Sequence, residues 1–165
     1  LNYAANEILR FSGEVINLDI GPGEGKNGFT NRTAIGPVLG ISPFNFPLNL
    51  AVHKIAPALA VGCSIVVKPS PLTPFSLLKF ADLVHKAGFP AGSFNVVLID
   101  VDESELLVKD ERFKMLSFTG SPKVGWHLKN ICGKKKVTLE LGGNAPVLID
   151  ESGDYEKAAS DIASG

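Results

Sequence analysis

The sequence predicts an α/β fold: a parallel sheet of about five strands with helices on both faces, preceded by a β-hairpin arm. Three observations carry this reading. From Ala34 onward, short runs rich in Val, Ile and Leu alternate with stretches that place apolar residues at helical spacing. Strands that are apolar throughout fit a parallel sheet covered on both sides and built from right-handed βαβ crossovers. Before Ala34 the pattern differs, with two extended segments flanking a glycine-rich turn. The predicted organisation is therefore an arm over 1–33 and an α/β domain over 34–165.

The elements follow in order. Ala4–Arg10 is a short helical pattern, and Glu14–Ile20 alternates polar and apolar residues as a half-buried strand does. Gly21–Gly28 is a turn, and Phe29–Val38 returns as an extended segment. Ala34–Ile41 is the first apolar run of the domain. Pro47–Val61 is helical, with Pro47 where a first turn tolerates it. Ser64–Lys68 is a β-branched strand. Thr73–Ala87 is a helix bounded by Pro74 and Gly88. Phe94–Ile99, Met115–Thr119, Val137–Leu141 and Pro146–Ile149 read as strands, and Glu103–Lys109, Pro122–Asn130 and Asp154–Ala163 as helices.

Sixteen basic and 17 acidic side chains in 165 residues leave a formal charge of −1, without the broad basic footprint of a nucleic-acid binder. Apolar residues make up 45% and charged residues 20%, an ordinary globular balance that argues against disorder. The most apolar window, Leu48–Val67, is interrupted by His53, Lys54 and Pro57 and does not read as a membrane span. Leu1–Arg10 lacks the pattern of a signal peptide, and two cysteines make no disulfide framework, so a cytoplasmic location is expected. Cys63, Cys132, His53, His85 and His127 share no metal-ligand spacing. Leu1 at one end and Ala163-Ser164-Gly165 at the other read as cut ends.

Gly23-Glu24-Gly25-Lys26-Asn27-Gly28 matches GxGxxG, but a dinucleotide fingerprint needs a helix immediately after it. Phe29-Thr30-Asn31-Arg32-Thr33 is poor helix material, so this motif reads as a hairpin turn. In an open α/β sheet, ligands sit beyond the carboxyl ends of the strands. Those ends are Ser42–Asn45, Lys68–Pro71, Thr119–Ser121 and Glu140–Gly143.

Each has a functional and a plainer reading. Gly120-Ser121-Pro122-Lys123-Val124-Gly125 opens a helix whose free N–H groups suit a phosphate, or is an ordinary turn capped by Ser121. Lys68 reaches sugar hydroxyls or phosphate as a compact cation, or is a solvated lysine at a strand end. Glu140 ends an apolar strand before Gly142 and Gly143; partial burial would raise its pKa and suit a general base, and the plainer reading is a structural salt bridge. Asn45 caps the helix starting near Pro47, or its amide donates to a developing oxyanion. Cys63 and Cys132 read as small, inert residues.

Taken together, Pro43-Phe44-Asn45-Phe46-Pro47, Val67-Lys68-Pro69-Ser70, Phe118-Thr119-Gly120-Ser121 with Gly125, and Leu139-Glu140-Leu141-Gly142-Gly143 resemble the aldehyde dehydrogenase superfamily. The resemblance covers nearly the whole chain and implies a Rossmann-like domain with part of an oligomerisation arm. It implies oxidation of an aldehyde to a carboxylic acid with NAD or NADP, through a cysteine thiohemiacetal and thioester. Asn45 would stabilise the oxyanion and Glu140 would activate water or thiol. The implied cofactor-binding set is Ser42, Pro43, Phe44, Lys68, Ser70, Pro71, Gly120, Ser121, Gly125, Leu141 and Gly142. Lys68 would contact the adenine ribose, and Gly120 and Ser121 would lie at the pyrophosphate. No metal, nucleic acid or membrane is expected as a partner, and a homo-oligomer is. Ser42–Lys54 is similar to the branch acting on lactaldehyde-like, glyceraldehyde-3-phosphate-like or other small aldehydes.

Two departures stand out. NAD-preferring relatives often carry an acidic residue where this chain has Pro71; its loss removes repulsion toward a 2′-phosphate and leaves the choice of cofactor open. The family's nucleophile also lies farther downstream of the glutamate than this chain extends, and neither Cys63 nor Cys132 is at its position. The expectation is a fragment that supplies the cofactor site, the oxyanion asparagine and the base, and that is inactive alone. The alternative is a non-catalytic nucleotide-binding module.

Overall fold

The computed structural model describes residues 1–164. Its centre is a five-stranded, wholly parallel sheet. The strands are β3 (Val38–Ile41), β4 (Ile65–Lys68), β5 (Phe94–Val96), β6 (Met115–Thr119) and β7 (Lys136–Glu140), in spatial order β5-β4-β3-β6-β7. The chain leaves β3 toward β4 and β5, then returns across the sheet to β6 and β7. That reversal opens a crevice between the carboxyl ends of β3 and β6. The expected fold class is the observed one.

Alternation along the strands divides the core in two. Val38, Ile65 and Val67 face α2 (Asn49–Ala60) and α3 (Phe75–Lys86), where they bury Ala51, Ile55, Leu77 and Phe80. Leu39, Leu116 and Phe118 face α4 (Ser104–Lys109) and α5 (Pro122–Ile131), where they bury Val108 and Leu128. β3 lies between two neighbours and is buried along its whole length. Each fully buried aliphatic side chain contributes about 1.5–3 kcal/mol through removal from water.

The arm holds α1 (Asn2–Glu7), a 3-10 turn over Ile8–Arg10, and an antiparallel pair of β1 (Val15–Asn17) and β2 (Asn27–Phe29). Gly23–Gly28 belongs to this hairpin: a 3-10 turn over Gly21–Gly23 precedes β2, and no helix follows the glycines. Both strands are much shorter than the sequence predicts, and 30–37 has no regular structure.

Two further differences have physical causes. Pro146–Ile149 is not a strand. It lies beyond the edge strand β7 with Val147 and Leu148 exposed, and no partner strand takes up its backbone groups. α2 begins at Asn49 rather than near Pro47, because the chain first turns through Phe46 at φ 44°. Phe46 is the one non-glycine residue with positive φ among those described, a conformation that side chains rarely adopt. α6 (Tyr155–Ser164) closes the described chain and buries none of its residues.

Candidate functional site

At the carboxyl end of β3, Ser42 is 4% exposed, and its Oγ is buried without a hydrogen-bond partner among the described residues. Its backbone N–H donates to the Lys68 carbonyl at 3.2 Å, which holds the ends of β3 and β4 together. An orphaned buried hydroxyl costs about 1–3 kcal/mol. Pro43 is half-buried, and Phe44 and Asn45 are exposed on the bend that follows. Asn45 does not cap α2: the cap position is Leu48 and no side chain bonds to the helix start. Its amide makes no hydrogen bond among the described residues, so the capping reading falls away.

Lys68 closes β4 and is 4% exposed, which overturns the reading of a solvated strand-end lysine. Burial pushes its pKa down, and the Asp100 carboxylate opposes that shift. Its ammonium makes no hydrogen bond among the described residues. Beyond it, the Ser70 hydroxyl accepts from the Leu72 N–H at 3.3 Å and its carbonyl accepts from the Thr73 N–H at 3.1 Å, forming a tight turn around the exposed Pro71.

At β6, Gly120 donates its N–H to the Glu140 carbonyl at 3.0 Å. Ser121 caps α5 by accepting the Val124 N–H at 3.4 Å, and Pro122 takes the first helical position. Gly142 lies beside that helix start, since a Cβ on it would meet Pro122 Cδ at 3.7 Å. Gly125 is buried on α5. A Cβ there would collide with Leu141 and come within 3.2 Å of the Phe118 ring. Gly125 and Leu141 thus have a packing role, because they set how closely α5 lies on the sheet.

Glu140 departs from expectation. It is exposed, so the partial burial expected of it is absent in this chain. The cause is the α2-side face of the edge strand β7, on which Lys136, Thr138 and Glu140 are all exposed beside Ser117 and Thr119 of β6.

Into this polar half-face reaches Lys54, which the sequence reading missed. It projects from α2 and is 6% exposed; Nζ donates to Thr119 Oγ1 at 2.6 Å and to Ser117 Oγ at 3.4 Å. Its stem passes over Gly40, where a Cβ would lie 3.5 Å from Lys54 Cδ. Burial lowers the Lys54 pKa to about 8, and the field of Glu140 pulls it back upward. Glu140 pairs with Thr119 across the β6–β7 ladder. A cation whose pKa is lowered to about 8 therefore bonds to two hydroxyls within the field of a carboxylate. The signal for it lay in β6, where Ser117 and Thr119 interrupt an apolar strand on one face.

A larger, mainly apolar cleft of about 910 Å³ runs between α1 and α2, and includes Lys54, Ser117 and Thr138 in its lining. A smaller one of about 290 Å³ lies beyond β4 and β5. Both cysteines are free and buried at the opposite edge, Cys63 before β4 and Cys132 before β7. Among the described residues, no helix is long and apolar enough to cross a membrane.

The aldehyde dehydrogenase family model matches residues 1–165. A 3-sulfolactaldehyde dehydrogenase of Priestia aryabhattai is 42% identical over 165 residues, covering 99% of this chain and 35% of the relative. The crystal structure of an NAD-dependent aldehyde dehydrogenase from Sinorhizobium meliloti superposes with a TM-score of 0.88 at 37% identity, covering 99% of this chain and 32% of that one. An NADP-dependent enzyme of E. coli gives 0.87 at 39% identity, covering 98% and 34%. The chain thus spans about a third of the length of the relatives it matches. With this match along its full length and the same arrangement of strands, the chain belongs to the aldehyde dehydrogenase family.

Proposed function

We propose that this chain is the cofactor-binding part of an NAD(P)-dependent aldehyde dehydrogenase, whose whole form oxidises an aldehyde to a carboxylic acid through a cysteine thiohemiacetal and thioester. One observation carries the reading. Unsatisfied polar groups converge at the carboxyl ends of three neighbouring strands: the orphaned Ser42 hydroxyl at β3, the buried Lys68 ammonium at β4, and the α5 N-terminus after β6. A dinucleotide has complementary groups for each, so the residues present fit it.

In this reading Ser42, Gly120 and Ser121 hold the pyrophosphate on the positive end of α5. Pro43 and Phe44 form one wall, and Gly142 lets the backbone approach from β7. Lys68, with Ser70 and Pro71, takes the adenine ribose. A bound NAD or NADP supplies the hydride acceptor. Asn45 donates its unengaged amide to the oxyanion. Glu140 accepts a proton from water or thiol, and Lys54 holds a proton of its own at Nζ nearby.

The arm over 1–33 exposes Val15, Ile20 and Phe29, an apolar hairpin surface suited to a second copy of the chain in a cytoplasmic homo-oligomer. The position of both cysteines away from the carboxyl edge favours a second reading for the chain taken alone, a nucleotide-binding module without its own nucleophile. Thiol-dependent aldehyde oxidation by the isolated chain would exclude that module. Calorimetric titration with NAD⁺ and with NADP⁺ tests the main proposal. Saturable binding of at least one is expected, and a cooperatively folded chain that binds neither refutes it.

A further inference from the structure

The GxGxxG sequence of the arm ends in Asn27-Gly28, and of the ten asparagines in the chain only Asn27 precedes a glycine. In that pair the side-chain amide is open to attack by the next backbone nitrogen, because glycine bends freely and has no Cβ to crowd the approach. Asn27 is exposed, and its amide makes no hydrogen bond among the described residues.

The hairpin decides when that attack can occur. β1 and β2 pair antiparallel, with Ile16 opposite Gly28 and Asn17 opposite Asn27. The Thr30 N–H donates to the Glu14 carbonyl at 2.8 Å, and hydrogen-bonded pairs alternate along an antiparallel ribbon. Ile16 and Gly28 therefore form the next bonded pair, and the Gly28 N–H donates to the Ile16 carbonyl. Extended backbone also keeps the Asn27 side chain roughly perpendicular to the strand, out of line with the following nitrogen. Closed, the hairpin protects its own reactive pair. Little holds it closed. The two strands form a sheet of their own without a third, and all three β1 residues are exposed. Such a two-stranded ribbon is marginally stable in water. Outside the ladder, its ties include the Glu14 N–H donating to Thr30 Oγ1 at 2.8 Å and the Gly25 N–H donating to Asp19 Oδ1 at 2.7 Å.

We propose that Asn27 is a site of spontaneous covalent modification, gated by the β1–β2 hairpin: each opening exposes Asn27-Gly28 to ring closure, and the product is aspartate or isoaspartate. The Gly28 nitrogen gives its proton to hydroxide and attacks Asn27 Cγ. The N–Cγ bond forms, the Cγ–Nδ2 bond breaks, and Nδ2 takes a proton from water and leaves as ammonia. Water then opens the cyclic imide at either carbonyl, and no electron changes hands. Either product places a carboxylate opposite Asn17. Isoaspartate also adds a methylene to the main chain of β2, which breaks its register with β1 and holds the arm open. The site is independent of dinucleotide binding.

The test is incubation of the whole chain at pH 7 and pH 9, with and without urea, followed by mass spectrometry of its proteolytic peptides. The wild type should gain the mass of an amide-to-acid exchange at Asn27 and at no other asparagine on the same timescale, faster at pH 9 and faster still in urea. Aspartate and isoaspartate peptides should separate by chromatography. Asn27→Gln should abolish the gain, since the longer side chain closes its ring poorly. Thr30→Val keeps the branched shape and removes the Oγ1 acceptor for the Glu14 N–H. It should speed the native reaction about two- to ten-fold, the worth of one hydrogen bond, and leave the rate in urea unchanged. No gain at Asn27, equal rates at other asparagines, or a gain that survives Asn27→Gln overturns the site. A native rate equal to that in urea, or one that Thr30→Val leaves unchanged, overturns its gating by the hairpin.

Discussion

Lys54 Nζ donates to Thr119 Oγ1 at 2.6 Å, which ties α2 to the carboxyl end of β6 next to the strand position of Glu140. A buried ammonium with two hydroxyl acceptors is poorly compensated for its lost hydration. Its lowered pKa of about 8 expresses that cost.

The sign of the resulting pH dependence is fixed. An unfolded lysine titrates near 10.5, so between about pH 8 and 10.5 the unfolded chain binds more protons than the folded one. Stability should therefore rise with pH through this window, by at most roughly 3 kcal/mol. Below about pH 8 the penalty is fully present. Lys54→Met should abolish the rise and be as stable as the wild type at pH 7, or more so. Urea denaturation of both proteins at pH 7, 8.5 and 10 measures this; parallel pH profiles would sink the account of Lys54.

Ser42→Ala should separate stability from binding. Removing the orphaned Oγ should stabilise the free chain by about 1 kcal/mol, as removal of an unsatisfied buried polar group does. The same change should weaken dinucleotide binding about three- to ten-fold, the worth of one neutral hydrogen bond. Thermal unfolding and calorimetry on the same sample check both directions. A loss of stability with unchanged affinity would make Ser42 a structural residue only.

Gly23→Ala should damage the hairpin and spare the site. A Cβ at Gly23 would collide with the Leu18 carbonyl oxygen, a backbone atom that cannot rotate away. The arm should lose order, seen as faster amide exchange over β1 and β2, while dinucleotide affinity stays within about two-fold. A large loss of affinity would return the GxGxxG sequence to the binding site.

Gly125→Val should destabilise the chain by about 2–3 kcal/mol, the range of core overpacking. Leu141 can swing aside, but the Phe118 ring behind it is packed beneath Gly120 and α5. Chemical denaturation gives the size of the effect. An unchanged midpoint would mean that α5 is free to lift from the sheet.

The sheet was legible because β6 and the cores of β3, β4 and β7 are apolar runs too short for helices, separated by well-punctuated ones. Met115–Thr119 is observed at its predicted boundaries. Pro146–Ile149 has the same local character, but a strand also needs a neighbour, and that is not encoded in four consecutive residues. Lys54 was hidden for a related reason. A lysine in an amphipathic helix reads as solvated, and only the tertiary structure brings Gly40, Ser117 and Thr119 under it. The burial expected of Glu140 failed in the opposite sense: its strand is apolar on the α5 side, while its own face has no cover. The loop strain at Phe46 left no trace in composition, since phenylalanine is an unfavourable choice for positive φ.

The central claim is that a dinucleotide binds at the carboxyl ends of β3, β4 and β6, and a backbone amide NMR titration with NAD⁺ tests it most directly. The account predicts shifts concentrated at Ser42–Asn45, Lys68–Ser70 and Gly120–Ser121, with the hairpin turn Gly21–Gly28 unmoved. Shifts centred on Gly23–Gly28, or none in a folded chain at saturating NAD⁺ and NADP⁺, would contradict it.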